Sequence, residues 1–211
     1  MDTMDTDAGH LQQQLGYFST YSFESIRRHA VDVTLDPDTA HPWLILSDDK
    51  KQMYRTDIYQ DLPDNPERFT YYLVVLGKEG FSSGRFYYEV QVEKKTRWTI
   101  GVVRESVNRK DWIMLSPDDG YWTVILYDGV YKAATVPPVN LPLREKPKKV
   151  GVFVDYEEGQ VSFFNVEARC LIYSFTGCIF KDKLYPYFNP YHNEGGKNSA
   201  PLVICPVNIT D

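Results

Sequence analysis

Residues 86–93 alternate strictly: Phe86, Tyr88, Val90 and Val92 occupy one parity, and Glu89, Gln91 and Glu93 occupy the other. Successive side chains of a strand point to opposite faces, so this stretch predicts a strand with one buried face and one wet face. Further strand-like runs follow at 98–103, 121–127, 150–155, 161–166 and 171–175. Turn residues punctuate them, including Asp128-Gly129 and Glu158-Gly159, a spacing that suits hairpins. No interval between these runs is long and periodic enough for a crossover helix, which makes the sheets antiparallel. The expected architecture is an all-β sandwich with loops gathered at its ends.

The remaining composition agrees with strands. The chain has 211 residues, of which 15% are aromatic, and its 16 tyrosines fit the pleated surfaces where aromatic and β-branched side chains pack. That length suits one globular domain, placed here at 19–211. Residues 1–18 show no periodicity and read as a flexible linker, and their acidic, polar start, MDTMDTDAGHLQQQ, lacks the apolar core of a signal peptide. Phe23, Ile26 and Ala30 fall at helical spacing, with Ser19 or Ser22 as the N-cap, so a short helix is expected before the first strand. No window reaches the roughly 18 apolar residues of a membrane span.

Several chemistries are excluded or disfavoured by pattern. The net charge of −6 and the lack of a long cationic run argue against a duplex-binding surface, because phosphate neutralisation needs clustered cations. Three cysteines, Cys170, Cys178 and Cys205, without a C-x-x-C spacing, fit neither a disulfide framework nor a zinc site and favour a reducing, cytoplasmic setting. Gly80-Phe81-Ser82-Ser83-Gly84 matches G-x-S-x-G, yet a nucleophile elbow needs a strand before it and a helix after it, and here a strand follows. It reads as a turn of small residues. The stretch 35–53 holds Asp36, Asp38, His41, Asp48 and Asp49 around the apolar run 43–46. Pro37, the missing glycine and the intervening strand break a calcium loop, and His29, His41 and His192 lack zinc spacing. The better reading is turn punctuation at both ends of a strand buried on both faces or nearly so. No metal, cofactor or catalytic constellation is expected.

Six ordered segments carry a resemblance. They are 31–40 followed by Leu44-Ile45-Leu46-Ser47; Leu76-Gly77 with Phe81-Ser82-Ser83-Gly84-Arg85-Phe86-Tyr87-Tyr88-Glu89-Val90; 101–110; Leu115-Ser116-Pro117 with Gly120-Tyr121-Trp122; 150–156; and Leu184-Tyr185-Pro186-Tyr187-Phe188. Together, over about residues 30–207, they resemble the PRY-SPRY domain at the carboxy terminus of tripartite-motif ubiquitin ligases, with 195–202 similar to fish members in particular. Butyrophilins, some fish NOD-like receptors and certain fish venom toxins carry related domains. The resemblance implies a bent antiparallel β-sandwich of the concanavalin-like jelly-roll type with a short N-terminal helix. It divides the chain into a helix and PRY segment at 19–80 and a SPRY segment at 81–211. Tyr88 in place of the usual tryptophan of Y-W-E-V, and Asp111-Trp112 in place of a Lys-Gly turn, depart from the pattern.

The resemblance implies a non-enzymatic module that recruits a host or pathogen protein to a ligase of innate immunity, whose RING domain and dimerising coiled coil are not in this chain. The domain itself is expected to be a monomer. The implied ligand face combines the loop near 54–64, the strand start after Trp98, the 125–131 segment and the loop around Tyr191. Pocket residues of an antibody-binding relative align with Thr99, Ile125, Tyr127 and Tyr191, where the relative has an acidic first residue and tryptophans at the middle two. Thr99 and Ile125 remove that charge and one ring, so antibody binding is not expected here. Trp112, in a loop, is the expected exposed hot spot, while Arg97, Trp98, Asp111, Asp128 and Tyr131 are expected to add anchors or polar contacts. Trp43, Tyr88, Trp98 and Trp122 are expected in the core. The alternative reading takes Arg97, Arg104, Arg109 and Lys110, beside aromatics, as contacts for RNA or an anionic lipid surface.

Overall fold

The computed structural model describes residues 23–209. A helix, α1 (Phe23–Arg27), precedes thirteen strands: β1 (Leu44–Leu46), β2 (Gln52–Arg55), β3 (Val75–Leu76), β4 (Arg85–Gln91), β5 (Trp98–Arg104), β6 (Tyr121–Tyr127), β7 (Val130–Ala133), β8 (Val139–Leu141), β9 (Lys149–Asp155), β10 (Gln160–Asn165), β11 (Cys170–Phe175), β12 (Leu184–Asn189) and β13 (Leu202–Cys205). They form a seven-stranded sheet, β1-β2-β13-β4-β9-β10-β11, and a six-stranded sheet, β3-β12-β5-β6-β7-β8. Every pairing between named strands is antiparallel, as expected from the lack of crossover helices. The expected linker at 1–18 and the Ser19 and Ser22 caps lie outside the described residues.

The two sheets close on one apolar layer. Phe86, Tyr88 and Val90 of β4 and Val150, Val152 and Val154 of β9 face Trp98, Ile100 and Val102 of β5 and Trp122 and Val124 of β6. The strands before residue 80 enter both sheets, β1 and β2 beside β13 and β3 beside β12, so they complete the sandwich rather than append to it. The β6–β7 hairpin turns at Asp128 and Gly129, with φ of 50° and 74°, a left-handed pair that matches the twist of the flanking strands.

Four local expectations are corrected. The second face of β4 is not wet: Tyr87 and Glu89 are buried because α1 lies over them, packing Ile26 against Tyr87, Phe153 and Phe164. The Glu89 carboxylate there accepts hydrogen bonds from Arg27 Nε at 3.1 Å and from the Tyr87 hydroxyl at 2.5 Å. The helix itself stops at Arg27 rather than reaching Ala30, because the backbone is drawn onto β4: Tyr87 N–H donates to His29 O and Val31 N–H to Tyr87 O. The run 43–46 is not buried on both faces, because β1 is an edge strand with only Leu44 fully covered. Trp43 is accordingly half-buried rather than core, with the Arg55 guanidinium 5.0 Å above its ring and Tyr59 meeting it edge-on.

Pattern reading also missed β12, which contains Pro186 although it lies between β3 and β5. In an antiparallel strand the N and O of one residue face the same neighbour, and Pro186 O accepts from Gly77 N–H. The missing donor therefore faces the chain just past the two-residue β3 and leaves the ladder to β5 intact. The G-x-S-x-G segment is a bend leading into β4, with Gly84 at φ 74° and no helix after it. Asp36 and Asp49 act as turn residues: Asp36 Oδ1 accepts from Asp38 N–H, and Asp49 Oδ1 accepts from Lys51 N–H and from the Ser47 hydroxyl.

Candidate recognition face

On the six-stranded sheet, the side chains that do not enter the core point to its outer face. These include Thr99 of β5, Ile125 and Tyr127 of β6, and Tyr187 and Asn189 of β12. Cross-strand register sets Thr99 between Ile125 on one side and Asn189 on the other. Asn189 Oδ1 accepts the Tyr191 N–H at 2.9 Å and helps hold Tyr191 at φ 56°. That turn brings the Tyr191 hydroxyl to Thr99 Oγ1, 3.1 Å away.

Arg97, just before β5, lies between two rings. Its guanidinium carbon is 4.4 Å from the Tyr127 centroid and 4.2 Å from the Tyr191 centroid. Cation–π attraction of this kind contributes roughly 0.5–1 kcal/mol per contact at exposed sites. The backbone under the stack is fixed by Asn198, which is almost fully buried. Its Oδ1 accepts from Thr96 N–H and Arg97 N–H, and its Nδ2 shares its hydrogens among the carbonyls of Arg97, Pro190 and His192. Lys95 adds bonds to Asn198 O and Ala200 O, and burial pulls its ammonium down to about 8. Pattern reading missed Asn198 altogether, since no spacing distinguishes a structural asparagine in a Gly-Gly-Lys-Asn-Ser run from a turn residue.

The face continues onto the loops from residues 42–72. Asn193 Nδ2 donates to Arg55 O at 3.4 Å, joining the Tyr191 loop to the end of β2. Burial lowers His192, and the Arg55 and Arg97 charges lower it further, so both arginines act on the same rim. Beneath them, His41 accepts Trp43 N–H at Nδ1 and donates from Nε2 to Thr70 O, an arrangement that defines the neutral tautomer. Burial takes its pKa down to about 4, with His192 and Arg55 contributing.

Trp112 is held at the edge of this region. Its neighbour Ile113 exchanges hydrogen bonds with the Tyr72 hydroxyl, at 3.1 Å through its carbonyl and 3.3 Å through its N–H. Burial shifts the Tyr72 phenol up, and the Tyr71 and Tyr191 phenols add to the shift. Trp112 is 64% exposed, Tyr71 54% and Tyr127 53%.

The structure sorts the expected site residues into groups. Arg97, Thr99, Tyr127 and Tyr191 come together and Ile125 lies beside Thr99, while Trp112 stands on the separate loop tied to Tyr72 through Ile113. Thr99 is buried and acts through Tyr191. Tyr131 and Trp98 do not face outward: both are buried, with ring centroids 6.1 Å apart inside the sandwich. Asp111 accepts from Asn108 Nδ2, and Asp128 forms the hairpin turn. The four expected anion contacts do not form one patch. Arg97 and Arg104 flank the two ends of β5, roughly 20 Å apart at about 3.3 Å per residue. Arg104 bonds the carbonyls of Ile179 and Phe180, Arg109 those of Glu67 and Glu105, and Lys110 pairs with Asp64.

A two-sheet sandwich that displays aromatic side chains and one stacked arginine on loops at its edge is a recognition domain in class. The chain belongs to the PRY-SPRY family: the SPRY domain model matches residues 85–203, and the SPRY-associated PRY model matches 33–81. Domains of this family bind proteins and are not catalytic. The chain is 42% identical to mouse E3 ubiquitin-protein ligase TRIM21 over 99% of its length and 44% of the relative. It is 46% identical to human pyrin, over 93% of this chain and 25% of pyrin, and 48% identical to human zinc finger protein RFP, over 87% and 36%. It thus spans less than half the length of these relatives. Among solved structures, the TRIM65 PSpry domain superposes with a TM-score of 0.73 at 21% identity, covering 86% of this chain and 93% of that one. A stonustoxin structure gives 0.75 at 23%, covering 87% and 30%.

Proposed function

We propose that this domain is the target-recruiting module of a tripartite-motif ubiquitin ligase of innate immunity, binding its host or pathogen protein through the face around Tyr127 and Tyr191. The observation that carries this reading is the rigid aromatic surface: Tyr127 ends the paired strand β6, and Tyr191 and Trp112 stand on loops hydrogen-bonded in place, so little entropy is lost when a partner docks. Kinship with TRIM21 supports the ligase assignment, with ubiquitin transfer residing in another domain of the parent. Three unpaired cysteines fit a reducing cytoplasm. Among the described residues, no helix is long and apolar enough to cross a membrane.

The test is affinity capture from infected and uninfected cells with the wild-type domain and with the triple variant Trp112→Ala, Tyr127→Ala, Tyr191→Ala. The expected result is loss of the captured protein with the cooperative melting transition preserved. Undiminished capture by the triple variant would overturn the assignment of this face.

A further inference from the structure

Arg97 and Arg55 of this rim both bury Nε without an acceptor, but Arg55 has an ion pair with Asp57 and Arg97 has none among the described residues. Arg27, Arg85 and Arg169 also pair with carboxylates, and Arg68, Arg104 and Arg109 donate to backbone carbonyls. The Tyr127 and Tyr191 rings both lie against the Arg97 guanidinium and its Nε is buried, which leaves the Nη groups as the donors for a partner. Glu194, the nearby acid of the same loop, is engaged by the Thr96 hydroxyl at 2.9 Å.

A planar donor edge held between two rings is complementary to a planar carboxylate, which pairs with guanidinium through two parallel hydrogen bonds. The overall charge of −6 gives no general attraction for an acid, so any attraction is local to Arg97, since Arg55 of the same rim is paired with Asp57. The surrounding surface is aromatic, with Tyr127 and Trp112 more than half exposed. Polynucleotide fits less well: the inner ring faces that would stack on bases are occupied by Arg97, and Arg104, Arg109 and Lys110 are engaged elsewhere.

Resting on the assignment of this face as the protein-binding surface, we propose that the partner presents an Asp or Glu side chain among apolar residues, received by Arg97 between Tyr127 and Tyr191. The carboxylate accepts from the Arg97 Nη groups, and the apolar neighbours pack on Trp112 and Tyr127.

Random linear peptides displayed on phage and selected on the immobilised domain provide the probe. Selected sequences are resynthesised with acetylated and amidated ends, so that only side chains carry carboxylates. The expected binders share an Asp or Glu, and its replacement by Asn or Gln weakens binding to the wild type by about tenfold or more while changing binding to Arg97→Gln by about twofold or less. Because the decisive change is in the peptide, the comparison does not depend on how the variant folds. Binders that are lost on Trp112→Ala and Tyr127→Ala but are indifferent to the acid, or that require a free C-terminal carboxylate, overturn the side-chain proposal and leave the face standing. Binders unaffected by every loop variant, or no binders at all, overturn the face itself. Salt-sensitive capture of single-stranded RNA through Arg97 with no peptide recovered assigns the arginine to phosphate and overturns the proposal.

Discussion

Asn198 grips Arg97 at two points, accepting its N–H at 3.1 Å and donating to its carbonyl at 3.0 Å. The same side chain bonds Thr96 N–H and the carbonyls of Pro190 and His192, so one carboxamide ties the start of β5 to the loop that carries Tyr191. Asn198→Ala leaves several buried backbone groups without partners, at roughly 1–3 kcal/mol for each group left unsatisfied. We expect a loss of about 3 kcal/mol in chemical denaturation, together with weaker partner binding. Asn198→Asp keeps the acceptor but loses the donors, and is expected to fall short of wild type on both counts. Wild-type binding by a measurably destabilised Asn198→Ala would show that the clasp does not position the face.

Arg27 and Glu89 form a second such dependency. Glu89 is 1% exposed, and its carboxylate relies on Arg27 and the Tyr87 hydroxyl. Burial and the neighbouring carboxylate both push the Tyr87 phenol up, so it stays a hydrogen-bond donor at all accessible pH. Removing one member of a buried pair strands the other charge, at about 3–5 kcal/mol. Arg27→Ala is therefore expected to lower the urea midpoint by far more than Glu89→Gln, which leaves a neutral acceptor for both donors. Equal losses would place the pair's contribution in packing rather than charge.

The β4 stretch shows what the sequence could and could not disclose. Its alternation located one buried face correctly, because that face meets the opposite sheet and must be apolar. The polar letters of the other face gave no sign that Glu89 is buried, because burial there depends on a five-residue helix whose contacts are remote in sequence. Tyr131 illustrates the same limit at the site. It follows a hairpin turn that sits at the rim, and only the parity of β7, fixed by its pairing with β6, sends it inward. Exposed Trp112 was legible because a tryptophan in a loop has no strand parity to bury it. Asn198 and the free edge of Arg97 are properties of three-dimensional neighbours alone.

His41 makes stability depend on pH. The neutral ring accepts from Trp43 N–H and donates to Thr70 O, and a proton on Nδ1 would abolish the first bond. The folded-state pKa of about 4 lies below the ordinary histidine value near 6.5, so the unfolded chain binds the proton more readily. The stability contributed by the neutral ring is complete above about pH 6.5 and is lost as pH falls toward 4, amounting to about 3 kcal/mol at most. His41→Gln, which does not titrate, is expected to flatten the wild-type decline in melting temperature over this window. Parallel curves for the two proteins would assign the decline to other groups.

Gly101 and Gly129 separate two reasons for having glycine. A Cβ on Gly101 would lie 2.1 Å from Trp122 O and 2.8 Å from Thr123 Cα, both backbone atoms of the paired β6. The Gly101 carbonyl also accepts the hydroxyl of Tyr88 from the facing sheet, which restricts any shift that could make room. Overpacking of this kind typically costs about 1–3 kcal/mol, and fixed backbone on both sides puts Gly101→Ala at or beyond the upper end. Gly129 has open space around it but φ of 74°, so Gly129→Ala carries only left-handed strain of roughly 1–2 kcal/mol. The expected order of denaturation midpoints is wild type, then Gly129→Ala, then Gly101→Ala. The reverse order would mean that β5 and β6 can separate near Thr99, and with them the backbone that sets the Tyr191 hydroxyl against the sheet.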